Sequence, residues 1–260
     1  MGDRMKYFNS VIFFIFIAIL TFINCSSRED VKIVSQKTGP LRTNCYFIYG
    51  PDSKEAALVD VGSTIDTLIS FIEDNELTVE YIFVTHCHPD HIKGIPAIRK
   101  LYPDAELCFT KQEYDDMEYY EDWESIFSPQ LIEAWKSDSV MLDLMTYDYD
   151  LLGEPDIYLT DSDIFGLGYN EVKILETPGH SRGSMSLSIG NNLITGDLIF
   201  YHSDGNMDCT LSSFDQIKNS FKRLYEEFPD ETIIYPGHFR FTSIGDEKMK
   251  NRNVSQDKLL

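Results

Sequence analysis

Apolar residues between positions 31 and 61 lie in short blocks that turn residues separate. Blocks rich in β-branched and aromatic residues occur at 31–34, 45–49 and 56–61, and glycine-proline pairs interrupt them at 39–40 and 50–51. Short blocks of this composition between turn signals are typical of strands. The pattern therefore predicts a strand-rich entry into the fold.

The period of the apolar positions then changes. Apolar side chains recur at helical spacing at Ile65, Leu68, Ile69 and Ile72. This spacing predicts a helix, with Ser63 and Thr64 as candidate N-terminal caps. Segment 79–84 is almost entirely apolar and rich in β-formers, which is typical of a strand buried on both faces.

The second half of the chain repeats this order of strand, turn and helix. Segments 172–176, 185–189, 193–195 and 232–235 have the composition of strands. A helix is predicted to begin at Ser213, which forms a candidate capping box with Gln216. The apolar face of this helix is predicted to contain Phe214, Ile217, Phe221, Leu224 and Phe228. The residues after His238 predict a short strand and then a loose polar tail over 246–260.

Residues 111–163 depart from this pattern. The segment is acidic and unusually rich in tyrosine and tryptophan, and it predicts two or three short helices. Two interpretations are open. The insertion either forms a lid or wall of the functional site, or it is a solvated helical segment without contact to that site.

The N-terminus predicts an export signal. Arg4 and Lys6 precede an apolar run over 11–23, which is shorter than the ~20 residues that span a bilayer as a helix but matches the apolar core of a secretory signal. Cys25 follows this run directly, as in bacterial lipoprotein signals. We expect residues 1–25 to be a signal, Cys25 to be lipidated, and the protein to be anchored to a membrane of the cell envelope. An ordinary cleaved signal and an uncleaved anchor are the alternatives.

Composition and charge narrow the range of partners. The chain has 43 acidic and 22 basic residues and a formal net charge of −21, which disfavours nucleic acid because phosphate contacts require Lys and Arg. We expect a small-molecule substrate. The cysteines at 45, 87, 108 and 209 follow no disulfide or zinc-knuckle spacing, so they are interpreted as buried thiols. One folded domain is predicted over 26–245.

The histidines carry the most informative pattern. The chain has six histidines, and three of them lie in the segment Thr85-His86-Cys87-His88-Pro89-Asp90-His91. His180 and His238 each follow a glycine in a short turn, and so does Asp197. Neutral imidazoles and ionised carboxylates are the ligands that zinc prefers. Each of these groups follows a predicted strand, so a rigid scaffold would hold them in exposed loops.

The spacing divides these ligands into two sets. Extended backbone alternates its side chains, so His86 and His88 point the same way while Cys87 points away. We predict one metal at His86, His88 and His180, and a second at Asp90, His91 and His238. Asp197 is predicted to bridge them, and two zinc ions ~3.5–4 Å apart can share and activate one water molecule.

These ordered motifs resemble the metallo-β-lactamase superfamily over about residues 31–240. Asp60, in Val59-Asp60-Val61-Gly62, matches the first motif, where the family places an aspartate that steadies the histidine loop. The resemblance implies an α/β (α+β) fold of four layers, αββα, in which two mixed β-sheets are flanked by helices and the metals lie at one edge. Aspartate at the bridging position is more similar to the glyoxalase II and lactonase branches than to the cysteine-containing β-lactamases.

The resemblance also implies a reaction. A hydroxide between two metals would attack an acyl ester, a thioester or a lactone, with Asp90 or Asp197 orienting it. Glyoxalase II has a helical extension that helps to hold glutathione, and the few residues after His238 leave no room for it. The expected substrate is therefore a small acyl compound rather than glutathione thioesters in particular.

Three alternatives remain open at the level of sequence. Proteins resembling persulfide dioxygenases bind one iron through the positions of His86, His180 and Asp197, so an iron oxidoreductase fits the same residues. Phosphodiester hydrolysis is disfavoured by the acidic composition. A non-catalytic envelope binding protein would be expected to lose ligands, and this chain keeps every one of them.

Overall fold

The computed structural model describes residues 31–50, 53–205 and 209–259. Residues 31–260 form one compact unit. The predicted signal over 1–25, with Cys25, lies outside the described residues. No helix in the described part of the chain is long and apolar enough to cross a membrane.

The first of two large sheets has six strands in the order β1-β2-β3-β4-β5-β6. The strands are β1 (Lys32–Thr38), β2 (Thr43–Tyr49), β3 (Glu55–Val59), β4 (Thr78–Phe83), β5 (Glu106–Thr110) and β6 (Ile157–Leu159). The first three strands pair antiparallel, and β3 to β6 pair parallel. The sheet is therefore mixed, as predicted.

The second sheet also has six strands, in the order β14-β13-β10-β9-β8-β7. Its strands are β7 (Ile164–Leu167), β8 (Asn170–Glu176), β9 (Met185–Ile189), β10 (Asn192–Gly196), β13 (Ile233–Pro236) and β14 (Thr242–Ser243). Only β10 and β13 pair parallel. A small hairpin of β11 (Ile199–Phe200) and β12 (Ser203–Asp204) follows β10.

Ten α-helices cover the sheets in the described residues. They are α1 (Asp66–Asp74), α2 (Pro89–Ile92), α3 (Ile95–Leu101), α4 (Lys111–Glu121), α5 (Trp123–Ile126), α6 (Pro129–Lys136), α7 (Ser139–Met145), α8 (Phe214–Glu227), α9 (Ile244–Lys250) and α10 (Gln256–Leu259). A 3₁₀ turn lies at Tyr149–Leu151.

Strand β2 shows why the core has layers. All seven of its residues are buried, and alternate side chains enter different clusters. Phe47 packs with the helices on one face of the first sheet, whereas Ile48 packs with side chains of both sheets. A third cluster lies between the second sheet and α8 and contains Ile217 and Phe221. Helix, sheet, sheet and helix therefore form the four predicted layers, αββα.

Two local predictions about helices are wrong. Helix α1 begins at Asp66 with Ile65 at the N-cap and no side-chain cap, because Thr64 adopts a left-handed conformation with φ of 74° and turns the chain before the helix. In α8 the Ser213 hydroxyl does accept from the Gln216 N–H, but Phe214 is 39% exposed rather than part of the buried face.

The predicted polar tail over 246–260 is the largest error. Helices α9 and α10 occupy most of this segment, and Val254 is fully buried. Some of its polar residues, Glu247 and Asn251 among them, are buried and bind other parts of the chain. The Glu247 carboxylate accepts from the His202 N–H at 3.0 Å and from the Thr242 hydroxyl at 2.7 Å. The folded domain therefore extends past the predicted boundary at 245.

The insertion over 111–163 is also more ordered than predicted. It contains four short α-helices, α4 to α7, rather than two or three, and its last part supplies β6 at the edge of the first sheet. Aromatic residues of the insertion, among them Trp123 and Tyr149, are buried in the cluster that covers this sheet. Their burial explains the high aromatic content of the segment.

Candidate metal centre

The predicted ligands follow strands that end at one edge of the sandwich. His86 and His88 follow β4, and α2 then carries Asp90 and His91 with Pro89 at its first position, where proline is favoured. His180, Asp197 and His238 follow β8, β10 and β13. Strands β8, β10 and β13 run in the same direction within their sheet, so their carboxyl ends lie at the same edge of that sheet.

Two of the glycines that precede these ligands lie where the packing leaves no room for a Cβ atom. A Cβ atom on Gly237 would lie 2.1 Å from Asp197 Oδ1 and 2.7 Å from His91 Cε1. Gly196 has a φ of 50°, and a Cβ there would lie 2.4 Å from Thr85 Oγ1. Any larger residue at either position would push the ligand-bearing turns apart.

Three histidines form the first group. His180 Nε2 lies 3.1 Å from His86 Nε2 and 2.9 Å from His88 Nδ1. One nitrogen from each ring falls within 4.8 Å of the others. Three imidazole nitrogens that face one point are a donor set suited to zinc or iron.

Asp90, His91 and His238 form the second group. His238 Nε2 lies 3.1 Å from Asp90 Oδ2 and 3.4 Å from His91 Nε2. Asp90 is also held from outside the group by Thr43, whose hydroxyl donates to Oδ2 at 2.7 Å. Thr43 begins β2 and carried no signal in the sequence.

Asp197 touches both groups. Its Oδ2 lies 3.5 Å from His238 Nε2 and 3.8 Å from His180 Nε2, and its Oδ1 lies 3.4 Å from His91 Nε2. Oδ1 is buried without a hydrogen-bond partner. A buried carboxylate oxygen that faces imidazole nitrogens without a hydrogen bond fits a metal ligand better than a structural carboxylate. The structure thus brings all seven predicted ligands together.

Outer hydrogen bonds orient two of the rings. His180 Nδ1 donates to the Gly205 carbonyl at 2.6 Å, and His91 Nδ1 donates to Asp60 Oδ2 at 3.0 Å. Each bond engages the outer nitrogen as a donor and directs Nε2 towards the cluster, where it can bind a metal. His202, the sixth histidine, lies outside the cluster beside Asp246.

Asp60 lies beneath the histidine loop, where the resemblance implied it. The residue is fully buried, and it accepts from the Thr85 N–H at 2.8 Å and from the Thr85 hydroxyl at 2.7 Å. Together with its bond to His91, these contacts tie the start of the loop to its last ligand. Asp60 therefore supports the centre without belonging to the ligand groups.

The electrostatics give ligands their metal-binding protonation states. Burial, helped by the neighbouring His180, lowers the pKa of His88 to about 3. Although burial by itself raises the pKa of Asp197, the nearby His91 lowers it to about 2. Burial opposes the charge of His91, but Asp90, Asp197 and Asp60 together raise the pKa of His91 well above its usual value. A metal ion would displace the proton of His91. It would meet ionised Asp90 and Asp197, and the rings of His86, His88 and His180 would be neutral.

The insertion forms a wall of the centre, and the interpretation without contact is wrong. The Tyr120 ring of α4 lies 5.2 Å from the His88 ring, edge to face. On the other side, the Phe200 and Phe239 rings lie 6.1 Å and 6.3 Å from the His238 ring. Lys93, which follows the histidine loop, forms an ion pair with Asp143 of α7 at 2.5 Å.

Comparisons with known proteins agree with this architecture. Sequence relatives include a protein from Aquifex aeolicus (strain VF5), 29% identical over 85% of this chain and 95% of its own length. Hydroxyacylglutathione hydrolase GloC from Haemophilus influenzae is 27% identical over 80% of this chain and 91% of its own. Hydroxyacylglutathione hydrolase 1 from Vibrio vulnificus is 25% identical over 77% of this chain, which spans 66% of that relative's length.

Two solved structures share the fold. The BLEG-1 B3 metallo-beta-lactamase superimposes with a TM-score of 0.68 and 26% identity, covering 85% of this chain and 98% of that one. ETHE1 from Myxococcus xanthus superimposes with a TM-score of 0.66 and 23% identity, covering 88% of both chains. Residues 38–238 match the model of the metallo-beta-lactamase superfamily. The chain belongs to this superfamily, whose members are generally hydrolytic metal-binding enzymes.

Proposed function

We propose that this member of the metallo-beta-lactamase superfamily hydrolyses a small acyl substrate, an ester, a thioester or a lactone, at a centre of two zinc ions. One observation carries the proposal. Asp197 is a buried carboxylate within 3.8 Å of ligand nitrogens from both groups, and its Oδ1 has no hydrogen-bond partner. That position suits a carboxylate shared between two cations.

The donor set supports two metals rather than one. His86, His88 and His180 would hold the first, and Asp90, His91 and His238 the second, with Asp197 between them. Two divalent ions at such sites lower the pKa of a water molecule and polarise a carbonyl group. Both effects would accelerate the hydrolysis of an unactivated acyl bond at neutral pH.

The residues of the chain supply orientation. Thr43 and His238 both contact Asp90 Oδ2, at 2.7 Å and 3.1 Å, so this oxygen is held and the carboxylate cannot rotate freely. The pKa of Asp90 falls well below its usual value because the neighbouring His91 and His238 outweigh the effect of burial. An ionised, held carboxylate can accept a hydrogen bond from a water molecule and so orient that water towards the substrate.

The surroundings of the centre favour an acyl group over a phosphodiester. Tyr120 lies beside His88, and Phe200 and Phe239 lie beside His238. Aromatic walls with few polar groups suit a small apolar or partly apolar ligand. The net charge of −21 opposes the approach of polyanions.

The relatives favour thioesters within the acyl class. Two of them are named hydroxyacylglutathione hydrolases, and an acylglutathione is a thioester. Identities of 25% and 27% leave room for a different acyl group in the substrate of this protein.

A substrate panel tests the proposal. The metal content of the protein is measured as isolated, before any metal is added. Protein loaded with Zn²⁺ is then assayed against chromogenic esters, lactones, hydroxyacylglutathione and other thioesters, phosphodiesters and β-lactams, and the protein as isolated is assayed with a persulfide. We expect turnover in the acyl classes and two zinc ions per chain. Activity only on phosphodiesters, or one iron per chain with oxygen consumption on a persulfide, would contradict it.

A further inference from the structure

Glu113 is a buried acid that the proposed chemistry does not use. It lies in the first turn of α4, after Thr110, whose hydroxyl caps the helix by accepting from the Glu113 N–H. The residue is fully buried, and it forms no ion pair with a cation among the described residues. A buried carboxylate in such a position needs strong hydrogen bonds to offset the loss of hydration.

Three donors meet this carboxylate. Oε2 accepts from the Cys87 N–H at 2.7 Å. Oε1 accepts from the Ser181 hydroxyl at 2.5 Å and from the Gly183 N–H at 3.0 Å. Burial raises the pKa of Glu113 to about 7, although the bonds from Ser181, Cys87 and Gly183 act in the opposite direction.

The donors belong to the two loops that carry the three-histidine group. Cys87 lies between His86 and His88, and Ser181 directly follows His180. One carboxylate from α4 therefore joins two loops that are separated by more than 90 residues along the chain. It does so through two backbone N–H groups and one hydroxyl, without contacting a ligand ring.

Tyr149 holds the other side of the same peptide. Its buried hydroxyl donates to the Cys87 carbonyl at 3.1 Å. The N–H and the C=O of Cys87 are thus both bound by side chains of the insertion. Since the backbone at Cys87 sets the directions of the flanking histidines, this pair of bonds limits how far their imidazoles can turn.

We propose that Glu113 is a positioning residue for the three-histidine half of the metal centre, where it fixes the spacing of His86, His88 and His180 and so sets the metal affinity of that half. Tyr149 assists from the opposite side of Cys87. The inference rests on the proposed metal centre, but it does not depend on which substrate the centre cleaves.

The main variant is Glu113→Gln. Glutamine has almost the same shape, but its NH₂ group cannot accept a hydrogen bond, so one of its two ends must face the Cys87 or Gly183 N–H without bonding to it. Loss of an outer partner of a metal ligand typically lowers metal affinity by about 10- to 100-fold. We expect a loss of this size in one of two binding steps and an unchanged second step.

The chain offers a matched control in Glu247→Gln. Glu247 is also fully buried and also accepts three hydrogen bonds, from the His202 N–H, the Thr242 hydroxyl and the Asn251 side chain. None of these partners is in a ligand loop. This variant should lower the melting temperature but leave both metal-binding steps as in the unmodified protein.

The experiment titrates the metal-free protein with Co²⁺ and with Zn²⁺ in the presence of a competing chelator. The visible absorption of bound Co²⁺ reports the ligand geometry of each site, which a general loss of stability would not change. Circular dichroism checks that each variant is folded. Glu113→Gln should alter the spectrum and affinity of one site only, and Tyr149→Phe should affect the same site to a smaller extent.

Several outcomes would overturn the inference. Two metals bound by folded Glu113→Gln with unchanged affinity and spectrum would do so, as would an equal loss in Glu247→Gln. If Glu113→Gln does not fold, Tyr149→Phe decides, and an unaltered Co²⁺ spectrum in that variant counts against the role. Two-metal binding that depends on Glu113, in a protein inactive on every acyl substrate, would leave this inference standing and remove the proposed function.

Discussion

At the scale of single residues, the centre is determined by which atom of each ring is already engaged. His180 and His91 each donate to an oxygen acceptor through Nδ1. Nε2 is therefore the nitrogen that faces the cluster in both rings. Asp197 has the opposite character, since its Oδ1 is buried and has no hydrogen bond. Directed rings and an unsatisfied carboxylate in one place are expected of a centre that is completed by cations.

Removing the shared carboxylate or one of the histidine ligands should strongly lower turnover. We expect Asp197→Ala and His88→Ala each to lower kcat by at least ~100-fold, the size of effect seen when one stabilising group is removed from an active site. Steady-state assays on the best acyl substrate measure the loss. Asp215→Ala is the control, because the Asp215 side chain is 86% exposed and pairs only with Lys218. Full activity in both site variants, with native circular dichroism, would refute the assignment.

Metal affinity should rise with pH. The carboxylates around His91 raise its pKa, so a proton and a metal ion compete for the same ring. Raising the pH removes the competing proton and therefore strengthens metal binding, whereas lowering the pH weakens it. Chelator competition with Zn²⁺ at several pH values between 5.5 and 8 measures the trend. An affinity independent of pH over this interval would contradict it.

At the scale of elements, burial on both faces makes the strands that carry the centre rigid. Strand β2 begins at Thr43, which holds Asp90, and every residue of β2 is buried. Two more of its side chains secure the loop of His238. Asn44 and Tyr46 both donate to the Pro236 carbonyl, at 2.7 Å and 2.6 Å. The first sheet thus supports ligands that belong to the second.

Truncating the core beside this strand should destabilise the whole domain. Phe47 is fully buried between the first sheet and its helices, and Phe47→Ala should lower the free energy of unfolding by about 3–5 kcal/mol through lost burial and the cavity left behind. Urea denaturation monitored by circular dichroism measures the change. In contrast, Tyr169→Ala, at a side chain 80% exposed, should stay within about 0.5 kcal/mol.

At the scale of the whole molecule, the N-terminal segment predicts export. A net charge of −21 over 260 residues keeps the domain soluble and repels polyanions. We propose that the protein is exported and that a lipid on Cys25 holds it at a membrane of the cell envelope. The residues after Cys25 would then form the catalytic domain.

Lipidation of Cys25 is directly testable. In a bacterial host that processes lipoproteins, the full chain should fractionate with membranes and incorporate labelled palmitate. Cys25→Ser should abolish the label and release the domain from the membrane fraction, because a single apolar run over 11–23 is too short to span the bilayer on its own. Equal membrane association of both forms would show that the anchor is the uncleaved segment.

The sequence by itself determined the chemistry of the centre. Its five histidines and two aspartates follow strands. Within each motif, in the loop from His86 to His91 and in each glycine turn, the residues that show this are near neighbours along the chain. Strand period and turn composition are local properties, so they can be recognised without the fold. The segments at 45–49, 79–84 and 185–189 accordingly became β2, β4 and β9 within one or two residues.

Only the tertiary structure decided what holds these ligands in place. Glu113 lies 68 residues from Ser181, and Thr43 lies 47 residues from Asp90, and neither has a local pattern that distinguishes it from a helix acid or a strand threonine. The C-terminal helices were missed for the same reason. The polar Glu247, for example, is buried because it binds the His202 N–H, which is 45 residues away along the chain and close only in the folded protein. Local pattern specifies the elements, whereas contacts between distant segments exist only once the layers have packed.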